Sequence, residues 1–262
     1  MNNNLDKKLI LFDIDGTLYD NANKCFPKST ISALEELHKT AIIGIATGRA
    51  GFMLYSIQEI LHLVDYFVLI NGQYIEAKEK VIYESPIDTE HLSALVKDID
   101  KYGVSYGFQG SKDEAVSHLD SLTRESFESL GLHIPPVNKD YFLNNKVYQA
   151  WVFCDSQIAS ELSKLHPQFH FIKWMKVGYD ILPVNASKGA GMKRLAEHLM
   201  MDINNVVAFG DGDNDYEMIR DAGLGIGMGN ATSKVKSVAD YITTSVDQDG
   251  ISKALKHFGF IK

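Results

Sequence analysis

The chain has 262 residues, enough for one large domain or two modest ones, and its 45% hydrophobic content is that of an ordinary globular protein. Acidic residues (34) outnumber basic ones (26), and the formal net charge of −8 argues against nucleic acid or an anionic membrane surface as the main partner. No apolar run approaches the ~18 residues of a membrane span, the start MNNNLDKK lacks a signal peptide's apolar core, and two distant cysteines, Cys25 and Cys154, read as reduced thiols of a cytoplasmic protein.

Leu9 to Phe12 is an apolar run with turn residues just after it, the pattern of a buried strand. Asp13 and Asp15 follow, then Gly16 and Thr17. Strand side chains repeat their direction every second residue, so the two carboxylates can point to one side, about 6–7 Å apart, if the chain stays extended. Gly16 then lets the backbone turn sharply. A surface turn in which Asp caps the next segment is the alternative for this stretch alone. Acids at the carboxyl end of a buried strand, however, sit where open α/β sheets carry their sites.

Between Pro27 and Lys39, Ile31, Leu34 and Leu37 recur at helical spacing, with Ser29 or Thr30 as the expected cap. Ala41 to Ala46 is a second buried strand ending in Thr47-Gly48-Arg49. Phe52 to Leu63 reads as a helix, and Tyr66 to Ile70 as a third strand ending in Asn71-Gly72. Strands alternating with helices predict an α/β fold with a doubly wound, mostly parallel sheet.

The pattern then changes. Gln73 to Tyr83 reads as a hairpin turning around Lys78 to Lys80. Helices are expected at Thr89 to Tyr102, Asp113 to Leu130 and Ser156 to Leu165, and strands at Val104 to Gln109, Lys146 to Phe153 and Phe169 to Trp174. His133 to Asn145, with Pro135-Pro136, reads as loop, and Tyr179 to Pro183 as a run back towards the first unit. Residues 83–183 are therefore expected to form an inserted α+β domain, and 1–82 with 184–262 the core. After Pro183 the alternation resumes: helix Ala190 to Leu199, strand Asn205 to Phe209, helix Tyr216 to Arg220, strands Leu224 to Met228 and Tyr241 to Thr244, helix Ile251 to Phe258.

The run Gly210-Asp211-Gly212-Asp213-Asn214-Asp215 follows a strand and opens a helix, a common place for a phosphate or cation. If Asp211 and Asp215 meet Asp13 and Asp15, the carboxylates repel unless a cation joins them. Mg²⁺ fits: it is hard, takes carboxylate oxygens and keeps waters that a phosphate can replace. An EF-hand is excluded, since no Glu stands at the twelfth position counted from Asp211. A carboxylate beside such a cation can attack phosphorus, and a second can exchange protons with the leaving alcohol and the water. Thr47, the Gly48 backbone and Lys188 are candidate partners for phosphoryl oxygens. Taken singly, a Thr-Gly-Arg after a strand is commonly a turn, and a Lys before a helix is commonly solvated.

The nine histidines form no HxH or HExxH, so no zinc site is expected; His118 and His133 in the insertion either face substrate or, as polar residues commonly do, lie on the surface. Gly223 to Gly229 lacks the spacing of a dinucleotide loop. Trp174, Met175 and Tyr179 either line a pocket or form core.

Together, DIDGT from Asp13, ATGR from Ala46, SKG from Ser187 and GDGDND from Gly210 resemble the four ordered motifs of the haloacid dehalogenase-like hydrolase superfamily. Asn71-Gly72, GIGMGNA (Gly225 to Ala231), Ala239-Asp240 and Asp249-Gly250 look like its Cof-type sugar-phosphate phosphatases. The resemblance covers about 1–82 and 184–262, and the insertion stands where that subfamily carries a cap, which would close over the leaving group. It implies Asp13 as nucleophile and metal ligand, and Asp15 as acid/base with its carbonyl on the metal. It implies Thr47, Gly48, Lys188 and Asn214 at the phosphate, Asp211 as metal ligand and Asp215 as support of the metal site. Arg49 is retained without an assigned role, Asp213 falls at a variable place, and Asn185-Ala186 departs from the usual residues before SKG. The implied activity is Mg²⁺-dependent hydrolysis of a small phosphorylated metabolite through an aspartyl-phosphate, a sugar phosphate first and pyridoxal phosphate second. A phosphosugar mutase and a non-catalytic metabolite-binding protein are the alternatives; the sequence says nothing of the oligomeric state.

Overall fold

The computed structural model describes residues 7–78, 80–129 and 133–262. The chain first lays down β1 (Leu9–Phe12), α1 (Lys28–Leu37), β2 (Ile42–Ala46), β3 (Tyr66–Leu69) and the hairpin β4 (Tyr74–Ala77) and β5 (Lys80–Glu84). There follow α2 (Thr89–Ile99), β6 (Ser105–Gln109), β7 (Glu114–Val116), α3 (Ser121–Ser129), α4 (Tyr141–Asn144), β8 (Gln149–Phe153), α5 (Ser156–Leu165), β9 (Phe169–Lys173) and β10 (Gly178–Pro183). The last part is α6 (Lys188–His198), β11 (Val206–Gly210), α7 (Tyr216–Asp221), β12 (Leu224–Gly227), α8 (Ser233–Lys236), β13 (Tyr241–Ile242) and α9 (Gly250–His257). Two compact units result: the residues up to Arg49 with Met53–Glu84 and Ser187–Lys262, and Ala50–Phe52 with Ser85–Ala186.

The first unit is an eight-stranded sheet in the order β13-β12-β11-β1-β2-β3-β4-β5, parallel from β13 to β3 and antiparallel at β4 and β5. β1 and β11 are buried throughout because helices cover both faces of such a sheet, which is why they read as unbroken apolar runs. Phe12 and Phe209 stack across them with centroids 4.8 Å apart. In α1, Thr30, Ala33, Leu34 and Leu37 are buried. Its N-cap is Pro27, not Ser29 or Thr30; the Ser29 hydroxyl bonds Asp249 Oδ1 at 2.5 Å.

The second unit is an antiparallel five-stranded sheet in the order β7-β6-β8-β10-β9. One face packs Phe108, Val152 and Ile181 against Leu92, Leu95 and Leu162 of α2 and α5. Asp88 and Asp155 cap these helices by accepting two backbone N–H groups each.

Several local expectations are corrected. Phe52 to Leu63 is not an α-helix but two 3₁₀ pieces, Gly51–Ile57 and Leu61–Leu63; Leu54 leaves helical geometry where Arg49 Nη1 reaches the neighbouring Met53 carbonyl at 3.3 Å. In the expected helix from Asp113, Glu114–Val116 is a strand paired with β6, and the helix starts only after Asp120, whose carboxylate accepts from the Thr123 N–H and hydroxyl; Leu130 lies outside the described residues, as does Glu79 of the hairpin turn. Within the expected loop, Tyr141–Asn144 is helical because Tyr141 and Phe142 pack on Phe108. Tyr179 to Pro183 belongs to β10, inside the second sheet between β8 and β9. Strand β8 starts at Gln149, three residues late, and α8 was not anticipated. Tyr179 and Trp174 are core packing, the latter edge-on to Phe153, while His118 and His133 are exposed.

Candidate active site

Parallel order β11-β1-β2 brings the carboxyl ends of three strands side by side. Each ends in one of the motifs: Asp13 after β1, Thr47 after β2, Asp211 after β11. Lys188 opens α6, whose first turn is capped by the Ser187 hydroxyl accepting from the Ala190 N–H at 3.0 Å.

Lys188 is 1% exposed, and its Nζ stands 2.6 Å from Asp13 Oδ1 and 2.7 Å from Asp215 Oδ1. Asp215 is wholly buried, and its Oδ2 accepts from the backbone N–H groups of Asp211 and Gly212, both at 2.9 Å. The Asp13 N–H donates to the Phe209 carbonyl at 3.0 Å, fixing the loop to β11. Asp211 Oδ1 accepts from the Thr17 hydroxyl at 2.8 Å, and its Oδ2 from Asn230 Nδ2 at 3.1 Å. Asn230 also donates to the Gly16 carbonyl at 2.8 Å. Gly16 has φ +82°, and a Cβ there would run into the Asp211 carboxylate.

One oxygen each of Asp13, Asp211 and Asp215 lies within 4.8 Å of the others. Burial, and then repulsion from Asp215, hold the Asp13 carboxyl well above the usual carboxylate range in spite of Lys188. Burial pushes Asp211 up to about 6. For Lys188 burial works against the charge, but the carboxylates of Asp13 and Asp215 outweigh it and raise the ammonium above its ordinary range. Three acids thus share one lysine. The trio could hold a divalent cation, which would supply the missing positive charge, and carboxylate oxygens suit a hard cation such as Mg²⁺. Asp215 already spends both oxygens on Lys188 and two amides, which leaves Asp13 and Asp211 as the carboxylates with the freer lone pairs.

Asp15 is not in this trio. The chain leaves extended geometry after Asp13, where Leu18 and Tyr19 donate back to the Ile14 carbonyl, so the expected strand alternation of Asp13 and Asp15 does not hold. The Asp15 carboxylate is gripped in fork geometry by Arg49, Nε to Oδ2 at 2.9 Å and Nη2 to Oδ1 at 2.6 Å. Arg49 Nη1 is held in turn by the Ser56 hydroxyl at 2.8 Å.

Thr47, Gly48 and Asn214 gather around Asn71. The Asn71 N–H donates to the Thr47 carbonyl at 3.1 Å, Asn214 Nδ2 donates to Asn71 Oδ1 at 3.4 Å, and a Cβ on Gly48 would lie 3.2 Å from Asn71 Nδ2. Asn71 stands in a turn with three successive positive φ values, Ile70 +48°, Asn71 +49° and Gly72 +84°. A β-branched residue there is uncommon and marks a backbone held by its surroundings. The Ile70 N–H donates to the Arg49 carbonyl at 3.1 Å, so both residues of the turn bond back to the Thr47–Arg49 loop. Asp213 lies aside, accepting from the Thr232 hydroxyl at 2.7 Å.

Residues 10–255 match the model of the haloacid dehalogenase-like hydrolases. The chain belongs to that family. It sits among the family's Cof-type phosphatases, as the resemblance of its motifs implied. A relative from Bacillus subtilis (strain 168), named "Putative phosphatase YkrA", is 34% identical over 261 residues, 98% of this chain and all of that one. Another from the same organism, 5-amino-6-(5-phospho-D-ribitylamino)uracil phosphatase YcsE, is 26% identical over 97% of this chain and 96% of its own length. The solved structure of the HAD subclass IIB sugar phosphatase BT4131 superposes with a TM-score of 0.86 at 34% identity, over 97% of this chain and all of that one.

In this hydrolase, three site contacts escape sequence reading: Thr17 on Asp211, Asn230 on Asp211, and Arg49 on Asp15. Thr17 and Arg49 stand inside the first two motifs and Asn230 inside GIGMGNA, so their presence was visible while their partners were not.

Proposed function

We propose that this hydrolase is a Mg²⁺-dependent phosphatase of small phosphorylated metabolites, working through a phosphorylated Asp13. The observation that carries the reading is Lys188, buried and shared between Asp13 and Asp215. It holds the Asp13 carboxylate in one rotamer and presents a charged ammonium where phosphoryl oxygens arrive. Asp13 attacks phosphorus while the bond to the leaving oxygen breaks, and Asp15 gives that oxygen its proton. Asp15 then takes a proton from water, whose oxygen attacks the aspartyl-phosphate and restores Asp13. Thr47, the Gly48 N–H and Asn214 orient the phosphoryl group, with Arg49 aiming the Asp15 carboxyl. Asp13 and Asp211, with the Asp15 carbonyl and with Asp215 in support, would hold Mg²⁺, which would supply positive charge for the transferring group.

The inserted residues 83–183 take the part of the cap that selects the leaving group, and the core 1–82 with 184–262 performs the chemistry. Sugar phosphates are the first substrate class, supported by the names of the sugar phosphatase BT4131 and the ribityl-phosphate enzyme YcsE; pyridoxal phosphate is the second. Free Cys25 and Cys154 agree with a reducing, cytoplasmic setting.

The test is phosphate release from sugar phosphates, nucleotides and pyridoxal phosphate, with Mg²⁺ and with EDTA. Metal-dependent release that Asp13→Asn abolishes in a folded protein supports the reading. Release surviving in Asp13→Asn removes Asp13 as nucleophile, and a rearranged sugar phosphate in place of free phosphate identifies a mutase.

A further inference from the structure

The candidate active site stands at the carboxyl ends of β1, β2 and β11. The opposite end of the same sheet carries a second cavity of about 400 Å³, a volume in the range of small-molecule sites. Lys7 enters it just before β1, Ile42 and Tyr66 open β2 and β3 beside it, and Lys78 follows the antiparallel β4. Lys7 lies six residues before Asp13, about 20 Å at the rise of a strand, so the two sites are separate.

Two solvated lysines on an open surface need no explanation. These two line a cavity, and neither ammonium has an ion pair or hydrogen bond with a described residue, although the chain carries a net charge of −8. Lys78 has φ +46°, a conformation that turns give more readily to glycine or asparagine, so the turn alone does not call for a lysine. The Tyr66 hydroxyl also lacks a partner among the described residues. Asp65 is the only acid of the lining, and it is engaged: its Oδ2 accepts from the Ile43 N–H at 3.0 Å and stands 4.0 Å from His38 Nδ1. That edge of the His38 ring is enclosed without a hydrogen bond, yet 40% of the side chain is exposed, which leaves the other edge open.

Donors and positive charge thus gather around the apolar side chains of Ile42 and Ala77. Three strand spacings separate β1 from β4, which sets the backbones of Lys7 and Lys78 about 14 Å apart. Two long side chains can close from either side on a ligand seated over the starts of β2 and β3. A single negative charge would answer one ammonium; two ammonium groups call for two. An extended polyanion fits badly, because the rest of the chain repels it. We propose that Lys7, Lys78 and Tyr66, beside His38, bind a small dianion, a dicarboxylate or a phosphate, at the end of the sheet remote from Asp13. Such binding needs no catalysis and stands apart from the phosphatase reading.

The full chain, isotopically labelled at histidine, is titrated with succinate and separately with inorganic phosphate, at an ionic strength held constant with sodium chloride. The His38 ring signal, identified by its absence in His38→Gln, should move saturably, with half-saturation at about 1 mM or below. Lys7→Gln and Lys78→Asn should each weaken binding about tenfold or more, asparagine being at ease in the left-handed turn. Lys39→Gln removes an exposed charge next to His38 but outside the cavity, and should leave the affinity within about twofold. Movement with succinate alone identifies a dicarboxylate site, with phosphate alone a phosphate site, and with both a site that reads charge. No saturable movement with either anion below about 10 mM, an unchanged affinity in either cavity-lysine variant, or an equal loss in Lys39→Gln overturns the proposal.

Discussion

At the scale of single residues, Lys188 has the largest consequences. Its charge is buried among acids, so replacing it leaves Asp13 and Asp215 facing each other without compensation. Breaking a buried pair by removing one partner costs about 3–5 kcal/mol. Lys188→Met is therefore expected to lower the unfolding free energy by that amount, read as a fall in the urea midpoint, and to abolish phosphate release. Arg49 makes a different prediction. It touches Asp15 and not the acid trio, so Arg49→Ala should lower kcat by about 10²-fold, the scale of general acid–base catalysis, with a smaller change in KM; Arg49→Lys, lacking the planar fork, should recover little of it. Steady-state kinetics of the two variants decide this, and a loss confined to KM would remove Arg49 as a positioning residue. Asp13 and Asp211 stood out in the sequence because each follows a buried apolar run, whereas Lys188 and Asp215 were legible only through the resemblance of the four ordered motifs taken together. The Arg49–Asp15 fork was not, since it depends on where the backbone turns after Asp13 and on the Ser56 anchor.

At the scale of elements, the turn Ile70–Asn71–Gly72 joins the Thr47–Arg49 loop to α6. A Cβ on Gly72 would strike the Ser187 carbonyl and lie 2.9 Å from the Gly191 nitrogen, at a φ of +84°. Gly72→Ala combines backbone strain with displacement of the helix that carries Lys188. The expected loss is about 1–3 kcal/mol from strain alone, read by denaturant unfolding, together with reduced activity. The β-α alternation of the first unit was readable because buried parallel strands are continuous apolar runs punctuated by turns. The second unit was harder. Glu114–Val116 carries no alternation long enough to declare a strand and becomes one by pairing with β6. Tyr141–Asn144 is helical through its aromatic packing, which no local pattern announces.

At the scale of the whole molecule, stability should respond to metal and to pH. A cation that binds only the folded acid trio raises the melting temperature with its concentration. Mg²⁺ should do so in the parent and lose most of the effect in Asp211→Asn, as a thermal-shift titration would show. For pH, Glu114 and Asp180 titrate near 7 when folded, above the range of about 4 expected of an unfolded carboxyl. A raised folded value means the folded state holds its proton more tightly. The stability they contribute is complete below about pH 4 and is lost as pH rises through about 7. Asp180→Asn should then melt above the parent at pH 8, by about 2–4 °C per kcal/mol recovered, and not at pH 4. Equal melting temperatures at both pH values would count against a buried charge at Asp180.

The position of β1 has a consequence during synthesis. It lies between β2, which follows within about 30 residues, and β11, whose Val206 pairs with Leu9 from about 200 residues downstream. At ribosomal rates of roughly 5–20 residues per second, one side of β1 waits about 10–40 s for its neighbour. For that interval the nascent chain presents Leu-Ile-Leu-Phe as an open strand edge. Half of the pairing of β1 thus belongs to the last third of the polypeptide, and a ribosome stalled inside the insertion would display a strand edge of the kind that holdase chaperones cover.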